Sequence, residues 1–221
     1  MKREVLGFSP TNHSLNEITQ LAKAINDLRD LKKKNKGIHE LLELFSHDDF
    51  LSHGVEVVKM IENPSDEIVE YVVKEKPDLI LNIKNPSDKA VRLAVTQKPE
   101  LIEFLPQTEE LCLIAVNRNP LTLRFVKEQT EEICLVALNS VLGVWGKDVF
   151  KYIQVRTQRV CEAAVRTNPT TIKEMKDQSE AFYNSMIKAN WRVIEYIENA
   201  TSEQCLLAYE QDERALDYFK L

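Results

Sequence analysis

The hydrophobic and polar positions of this chain recur in units of about 22 residues, and each unit begins with Ser or Thr. We number the units as repeats 1 to 7, which begin at Ser65, Ser87, Thr108, Thr130, Thr157, Ser179 and Thr201. Counted from these residues as position one, position five is Val, Cys or Tyr, and position eight is Ala in five of the seven repeats. Agreement over so many units indicates an internal repeat, and an internal repeat decides the architecture.

Each repeat is expected to form two helices. The starting Ser or Thr is a favourable N-cap, and acidic residues such as Glu109 and Glu110 follow in the first turn. Apolar residues near positions five, eight and nine then share one helical face. Position thirteen is Pro in four repeats, which ends the first helix and begins a short second one. The second helices are expected to end near Ile83, Leu105, Val126, Ile153, Met175, Ile197 and Phe219.

A helix pair of this length cannot bury both of its faces alone, so the repeats are expected to stack around a continuous core. The sequence therefore predicts an all-α fold, an elongated α-solenoid of seven to eight two-helix repeats after an N-terminal amphipathic helix. The small residue at position eight lets neighbouring first helices approach closely. We expect an N-terminal helix and capping segment at 1–42 and a solenoid at 43–221, with a degenerate first unit at 43–64 and an insertion near 139–148.

Three stretches share one short core, namely AVTQKP (94–99), AVNRNP (115–120) and AVRTNP (164–169). This core resembles that of a family of short helical repeats of unknown function, with the pattern A-V-x-x-N-P, found in bacterial, viral and protist proteins. The resemblance covers about residues 65–221. It implies an interaction scaffold, such as a phage or bacterial accessory protein, and it supplies no catalytic residues.

The segment before the repeats has its own helical pattern. Ser14 and Glu17 form a capping box, and an apolar stripe runs from Ile18 to Leu31, toward the Lys32–Lys34 run. We expect a long helix that covers the open end of the solenoid. Pairing of the same stripe with a second copy of the chain is the alternative, so the oligomeric state stays open.

Charge narrows the choice of partners. The 221 residues carry a net charge of −6, of which residues 1–36 contribute +4 and the rest −10. The net negative charge of residues 37–221 argues against a protein that binds nucleic acids along their whole length, because such proteins carry an excess of basic residues. The middle of the repeats is locally richer in basic residues, and its candidate anion-binding side chains are Arg118, Arg124, Lys127, Arg156, Arg159 and Arg166. No apolar run approaches the ~20 residues of a membrane helix, and no apolar leader follows the N-terminus, so we expect a cytoplasmic protein.

The cysteines and histidines give little evidence of a disulfide, a metal site or a catalytic site. The four cysteines all fall on position five of a repeat: Cys112, Cys134, Cys161 and Cys205. Neighbouring helix axes lie ~8–10 Å apart, which is too far for disulfides, so we expect four buried, reduced thiols. The pair His47-Asp48 matches one fragment of a metal site, but the sequence supplies no further ligands at a typical spacing. We expect no catalytic residue, cofactor or metal.

The spacing between Thr130 and Thr157 is 27 residues, five more than the usual period, and the extra residues lie within NSVLGVWGKD (139–148). One hypothesis is a projecting loop that binds a partner through Gly143, Val144, Trp145, Gly146 and Lys147. The other is that Trp145 fills a gap between neighbouring repeats.

Three functions follow from these patterns. The leading one is a non-catalytic scaffold that captures a partner protein, as a regulator or inhibitor. The alternative is a nucleic-acid or nucleotide binder that uses the six basic residues named above. A metal-dependent enzyme that uses the histidine-rich first quarter is third.

Overall fold

The structure is a computed structural model that describes residues 19–20, 22–23, 26, 31–43, 64–140, 146–176 and 179–219. Within these residues the protein is all-α, without a β-strand, and its helices follow the repeating two-helix order of a solenoid-like fold. The chain divides into two compact units, Met1–Leu105 and Pro106–Leu221. Repeats 1 and 2 belong to the first unit and repeats 3 to 7 to the second.

The first helix of every repeat begins directly after the predicted cap. These α-helices are Asp66–Glu75, Asp88–Gln97, Glu109–Arg118, Glu131–Asn139, Gln158–Thr167, Glu180–Ala189 and Ser202–Tyr209. In repeats 2 to 7 the side chain of the cap accepts a hydrogen bond from the amide three residues later, whereas Ser65 makes none. The predicted starts are confirmed, and a cap of this kind is worth about 1 kcal/mol.

The second helices are 3₁₀-helices, which the sequence pattern did not distinguish from α-helices. They are Pro77–Asn82, Pro99–Glu103, Pro120–Phe125, Pro169–Glu174, Trp191–Tyr196 and Glu213–Tyr218. Four begin with proline, and the side chains of Asn119, Asn168, Asn190 and Asp212 cap the start of their helices. A segment of five or six residues is short enough for the tighter 3₁₀ bonding that longer helices avoid.

The core follows the predicted register. Position eight is buried in all seven repeats, as the periodicity predicted. Within the first unit the first helices of repeats 1 and 2 pack together, and within the second unit each first helix of repeats 3 to 6 packs against the next. Positions fifteen and sixteen of the second helix are also buried in repeats 1, 2, 3, 5 and 6, as at Leu101 and Ile102.

In the second unit, the glutamine before the N-cap forms hydrogen bonds between one repeat and the next. Gln107 donates through Nε2 to the carbonyl oxygen of Phe125 (2.8 Å) and accepts through Oε1 from the amide of Lys127 (2.9 Å). Gln129 bonds the carbonyl oxygen of Tyr152 (2.9 Å) and the amide of Gln154 (2.9 Å) in the same way. One amide side chain therefore pairs with a carbonyl and an amide of the following repeat.

We expect Gln129→Ala to lower the free energy of unfolding by about 0.5–1.5 kcal/mol, because the carbonyl oxygen of Tyr152 and the amide of Gln154 then lose their hydrogen bonds to the Gln129 side chain. Urea denaturation followed by circular dichroism measures the change. Gln154→Ala is the matched control, since Gln154 takes part through its backbone amide and its residue is exposed. Equal denaturation midpoints for the two variants would show that the side-chain bonds of Gln129 contribute nothing.

The N-terminal segment is helical where it is described. The α-helix Leu31–Glu43 contains Lys32–Lys34 and packs on the first helix of repeat 1, with Ile38 buried. Ala22, on the predicted stripe, is buried as well. Residues 44–63, which hold most of the expected degenerate unit, lie outside the described residues.

Candidate functional site

The insertion of repeat 4 is only partly described. Gly143, Val144 and Trp145 lie outside the described residues, whereas Gly146 and Lys147 begin the short α-helix Gly146–Phe150. Gly146 and Lys147 are therefore helical, and the expected loop does not include them. Two apolar residues at the end of this helix, Val149 and Phe150, are fully buried and take the place of the usual second-helix pair. Burial of this pair explains why the helix forms there.

Most of the six candidate anion-binding side chains already have partners. Arg159 forms a 2.6 Å ion pair with Glu131, and Arg166 lies 3.5 Å from Glu162. Arg156 donates to the carbonyl oxygen of Glu174 at 2.8 Å, and its guanidinium stacks on Phe150.

The guanidinium of Arg124 stacks on Phe125, while Arg118 and Lys127 are exposed. The structure thus engages four of the six basic groups with neighbouring residues instead of leaving all six open to an anion.

The cysteines confirm their prediction in three repeats and correct it in the last. Cys112, Cys134 and Cys161 are buried, and burial raises the pKa of the Cys112 and Cys134 thiols. Cys205 is only half-buried, because repeat 7 has a described neighbour on one side only. All four are free thiols.

We expect a thiol reagent to label Cys205 at least ~10-fold faster than the other three cysteines in the native protein, and all four rapidly in denaturant. Mass spectrometry of timed digests measures each rate. Fast native labelling of Cys112, Cys134 or Cys161 would contradict the assigned register.

The metal hypothesis finds no support in the described part of the chain. No group of three or more His, Cys, Asp or Glu side chains there is arranged to hold a metal ion. His39 lies beside Tyr71, with ring centroids 5.2 Å apart, and His13, His47 and His53 lie outside the described residues. Among the described helices, none combines the length and the apolar character needed to cross a bilayer.

An apolar surface is exposed at the end of repeat 7. Its members are Leu206, Tyr209, Leu216 and Tyr218, and we call these four residues the end face. Tyr209 occupies position nine and is 43% exposed, whereas Val116, Leu138, Val165 and Ile187 at position nine of repeats 3 to 6 are fully buried. Leu216 occupies position sixteen and is 55% exposed, whereas Leu123, Ile172 and Ile194 are at most 5% exposed.

The physical cause of this exposure is the repeat itself. In repeats 3 to 6 the following repeat packs on the first helix, and position nine is buried; position sixteen is buried in repeats 3, 5 and 6. No described repeat follows repeat 7, so the same positions face solvent. A cluster of exposed large apolar side chains is typical of an interaction surface.

An aromatic cluster lies beside the end face. Trp191 replaces the usual proline at position thirteen of repeat 6, and its ring centroid lies 6.2 Å from that of Tyr218. The guanidinium groups of Arg192 and Arg214 lie 5.5 and 5.7 Å from the Trp191 ring centroid, within cation–π range. The departure from proline at position thirteen was the sequence signal for this cluster, and our sequence analysis did not use it.

Arg214 also forms a two-point ion pair with Asp212. Its Nε donates to Oδ1 at 2.9 Å and its Nη2 to Oδ2 at 2.5 Å, which lowers the pKa of Asp212 to about 2. Because the folded-state pKa is lowered, any stabilisation by this pair is present above the ordinary pKa of Asp and is lost as the pH falls towards 2. The charge of Arg214 is therefore locally neutralised at neutral pH.

A groove of about 670 Å³ is formed by repeats 5 to 7. Glu180, Glu195 and Glu198 line it against the single cation Lys173, whose ammonium lies 4.8 Å from the ring centroid of Tyr196. Lys173 therefore already occupies one aromatic face, and the three carboxylates leave the groove negatively charged.

Three ion pairs join neighbouring repeats, and in all three the two charges have the same order along the chain. Glu70 pairs with Lys89 (2.7 Å), Asp78 with Lys98 (2.7 Å) and Glu131 with Arg159 (2.6 Å). In each pair the carboxylate belongs to the earlier repeat and the cation to the later one. Exposed pairs of this kind contribute little to stability.

Comparisons with protein-family models, with curated proteins and with solved structures found no match to this chain. The resemblance carried by the A-V-x-x-N-P core therefore stays a prediction. The candidate site is defined by its own residues, namely the end face and the Trp191 cluster beside it.

Proposed function

We propose that this chain is a non-catalytic helical-repeat scaffold that captures a partner protein at the end face of repeat 7. The observation that carries the proposal is the exposure of Tyr209 and Leu216, whose described counterparts in the preceding repeats are buried. Aromatic and large apolar side chains at the centre of such a patch are the usual anchors of protein interfaces.

The neighbouring groups support the same function. Trp191, Tyr218 and the two arginines beside them combine the residue types that dominate interface energetics. The basic middle of the repeats supports nucleic-acid binding less well, because Arg156, Arg159 and Arg166 are engaged by protein groups.

The test is affinity capture from cells of the native host with three proteins: the wild type, Leu216→Asp and Leu81→Asp. Leu81 is the matched control, since it is 45% exposed on the second helix of repeat 1, at position seventeen, and belongs to the other compact unit. We expect Leu216→Asp to lose a protein that the wild type and Leu81→Asp both retain.

Capture of the same proteins by all three would overturn the proposal. A Trp145→Ala variant separates the insertion from the end face: selective loss with this variant alone would place the interface at the insertion. Retention of nucleic acid that falls steeply with salt would favour the anion-binding alternative.

A further inference from the structure

The groove formed by repeats 5 to 7 has an excess of negative charge. Three carboxylates line it, those of Glu180, Glu195 and Glu198, against one ammonium group, so its formal charge is −2. None of the three forms an ion pair with a described lysine or arginine, whereas Glu131 and Glu162 each do. The volume of about 670 Å³ is within the range of ligand sites. The groove therefore has the size and the charge to receive a cationic group.

Two tyrosine rings lie in the same groove. Tyr183 occupies position five of repeat 6, where the other six repeats have Val or Cys, and Tyr196 lies on the second helix of that repeat. Burial and the neighbouring carboxylate of Glu195 raise the pKa of Tyr196, so its phenol stays neutral. A planar guanidinium can stack on an aromatic ring while it donates to a carboxylate, so these groups favour arginine.

A buried amide side chain adds a hydrogen-bond donor to the groove. Gln204 lines the groove at position four of repeat 7 and is 2% exposed, whereas the other six repeats have an apolar residue at that position. Its Oε1 accepts from the amide of Thr201 at 3.0 Å in a capping box. Its Nε2 has no acceptor among the described residues. A buried donor without an acceptor is costly, so this amide points to a ligand with an acceptor.

We propose that the groove binds an extended peptide segment through an arginine side chain and a backbone carbonyl group. The guanidinium lies among the three carboxylates, and the carbonyl oxygen accepts from Nε2 of Gln204. The segment is extended, because the carbonyl groups within a helix are already bonded. A free polyamine would match the carboxylates but has no carbonyl oxygen for Gln204. This inference goes beyond the proposed function and does not depend on the end face.

The probe is a fluorescent peptide of five residues, Gly-Gly-Arg-Gly-Gly, with both ends blocked. The matched peptide has citrulline, the neutral analogue of arginine, in the central position. Fluorescence anisotropy with the full chain at low salt measures both affinities. We expect the arginine peptide to bind at least ~10-fold more tightly than the citrulline peptide, and the difference to decrease as salt is added.

Two double variants of equal charge locate the cation. Glu195→Gln with Glu198→Gln removes two carboxylates of the groove, and we expect it to weaken binding of the arginine peptide at least ~10-fold. Glu203→Gln with Glu210→Gln is the matched control, because both residues are exposed on repeat 7 and neither lines the groove. We expect the control to change the affinity less than ~2-fold. Thermal unfolding confirms that each variant is folded.

A third variant tests the contact with the peptide backbone. Gln204→Leu places at position four the residue type of the other repeats, and the cap then matches that of Thr108 and Leu111 in repeat 3, so the variant is expected to fold. We expect it to weaken binding of the arginine peptide at least ~5-fold, because the amide donor is lost. Binding of spermine, a polyamine without a carbonyl group, is expected to change less than ~2-fold.

Three outcomes would overturn the inference: equal affinity for the two peptides, equal losses in the two double variants, or unchanged affinity of Gln204→Leu for the arginine peptide. Leu216→Asp is expected to keep that affinity within ~2-fold of the wild type. If neither peptide binds while Leu216→Asp still loses a captured host protein, the proposed function stands and the inference about the groove is wrong.

Discussion

Leu123→Ala is expected to lower the free energy of unfolding by about 2–5 kcal/mol, whereas Leu216→Ala is expected to change it by no more than about 0.5 kcal/mol. Both leucines occupy position sixteen, and both lie on a 3₁₀-helix of the second unit. Leu123 is fully buried, so its truncation leaves a cavity, while Leu216 is exposed on the end face. The difference in unfolding free energy between the two variants therefore measures how much a following repeat contributes to burial at position sixteen.

Urea denaturation followed by circular dichroism gives both values. A similar loss for the two variants would mean that Leu216 is covered in the isolated protein, through self-association or through a different packing of repeat 7. Measurement at two protein concentrations separates these causes, because only self-association depends on concentration.

Ala137→Leu is the second substitution with a large expected effect, a loss of about 1–3 kcal/mol from overpacking. Ala137 lies at position eight of repeat 4, and its helix packs against the first helices of repeats 3 and 5. Its side chain is fully buried, so three additional carbon atoms have no space without moving a helix.

Ala181→Leu is the matched control, because Ala181 is exposed on the first helix of repeat 6. We expect it to change stability by no more than about 0.5 kcal/mol. Equal urea midpoints for Ala137→Leu and the wild type would show that position eight does not set the helix spacing.

Much of the fold could be predicted because its determinants are local. A cap such as Thr130 forms its bond three residues away, and a proline such as Pro120 ends one helix and begins another within its own segment. Position eight repeats in the sequence as Ala, and its burial follows from helical periodicity. The 3₁₀ bonding of the second helices was not predicted, since five or six residues are too few for periodicity to separate it from α-helix.

The candidate site was less predictable because its determinants are not local. Gln129 bonds backbone groups 23 and 25 residues away, which no short motif encodes. Tyr209 and Leu216 resemble ordinary core positions in the aligned repeats, and only the placement of their neighbours exposes them. Trp191 did depart from the repeat pattern, and comparison of position thirteen across the repeats would have found it.

The single neighbour of repeat 7 also affects its local stability. In a stacked array each repeat is held by its own helices and by its contacts with adjacent repeats, and among the described repeats repeat 7 contacts only repeat 6, whereas repeat 4 contacts repeats 3 and 5. With these contacts alone, repeat 7 opens at a lower free energy than repeat 4, and its amide protons exchange with solvent more readily. Any segment that covers the end face adds a second interface, so binding at this surface is coupled to the ordering of this helix pair.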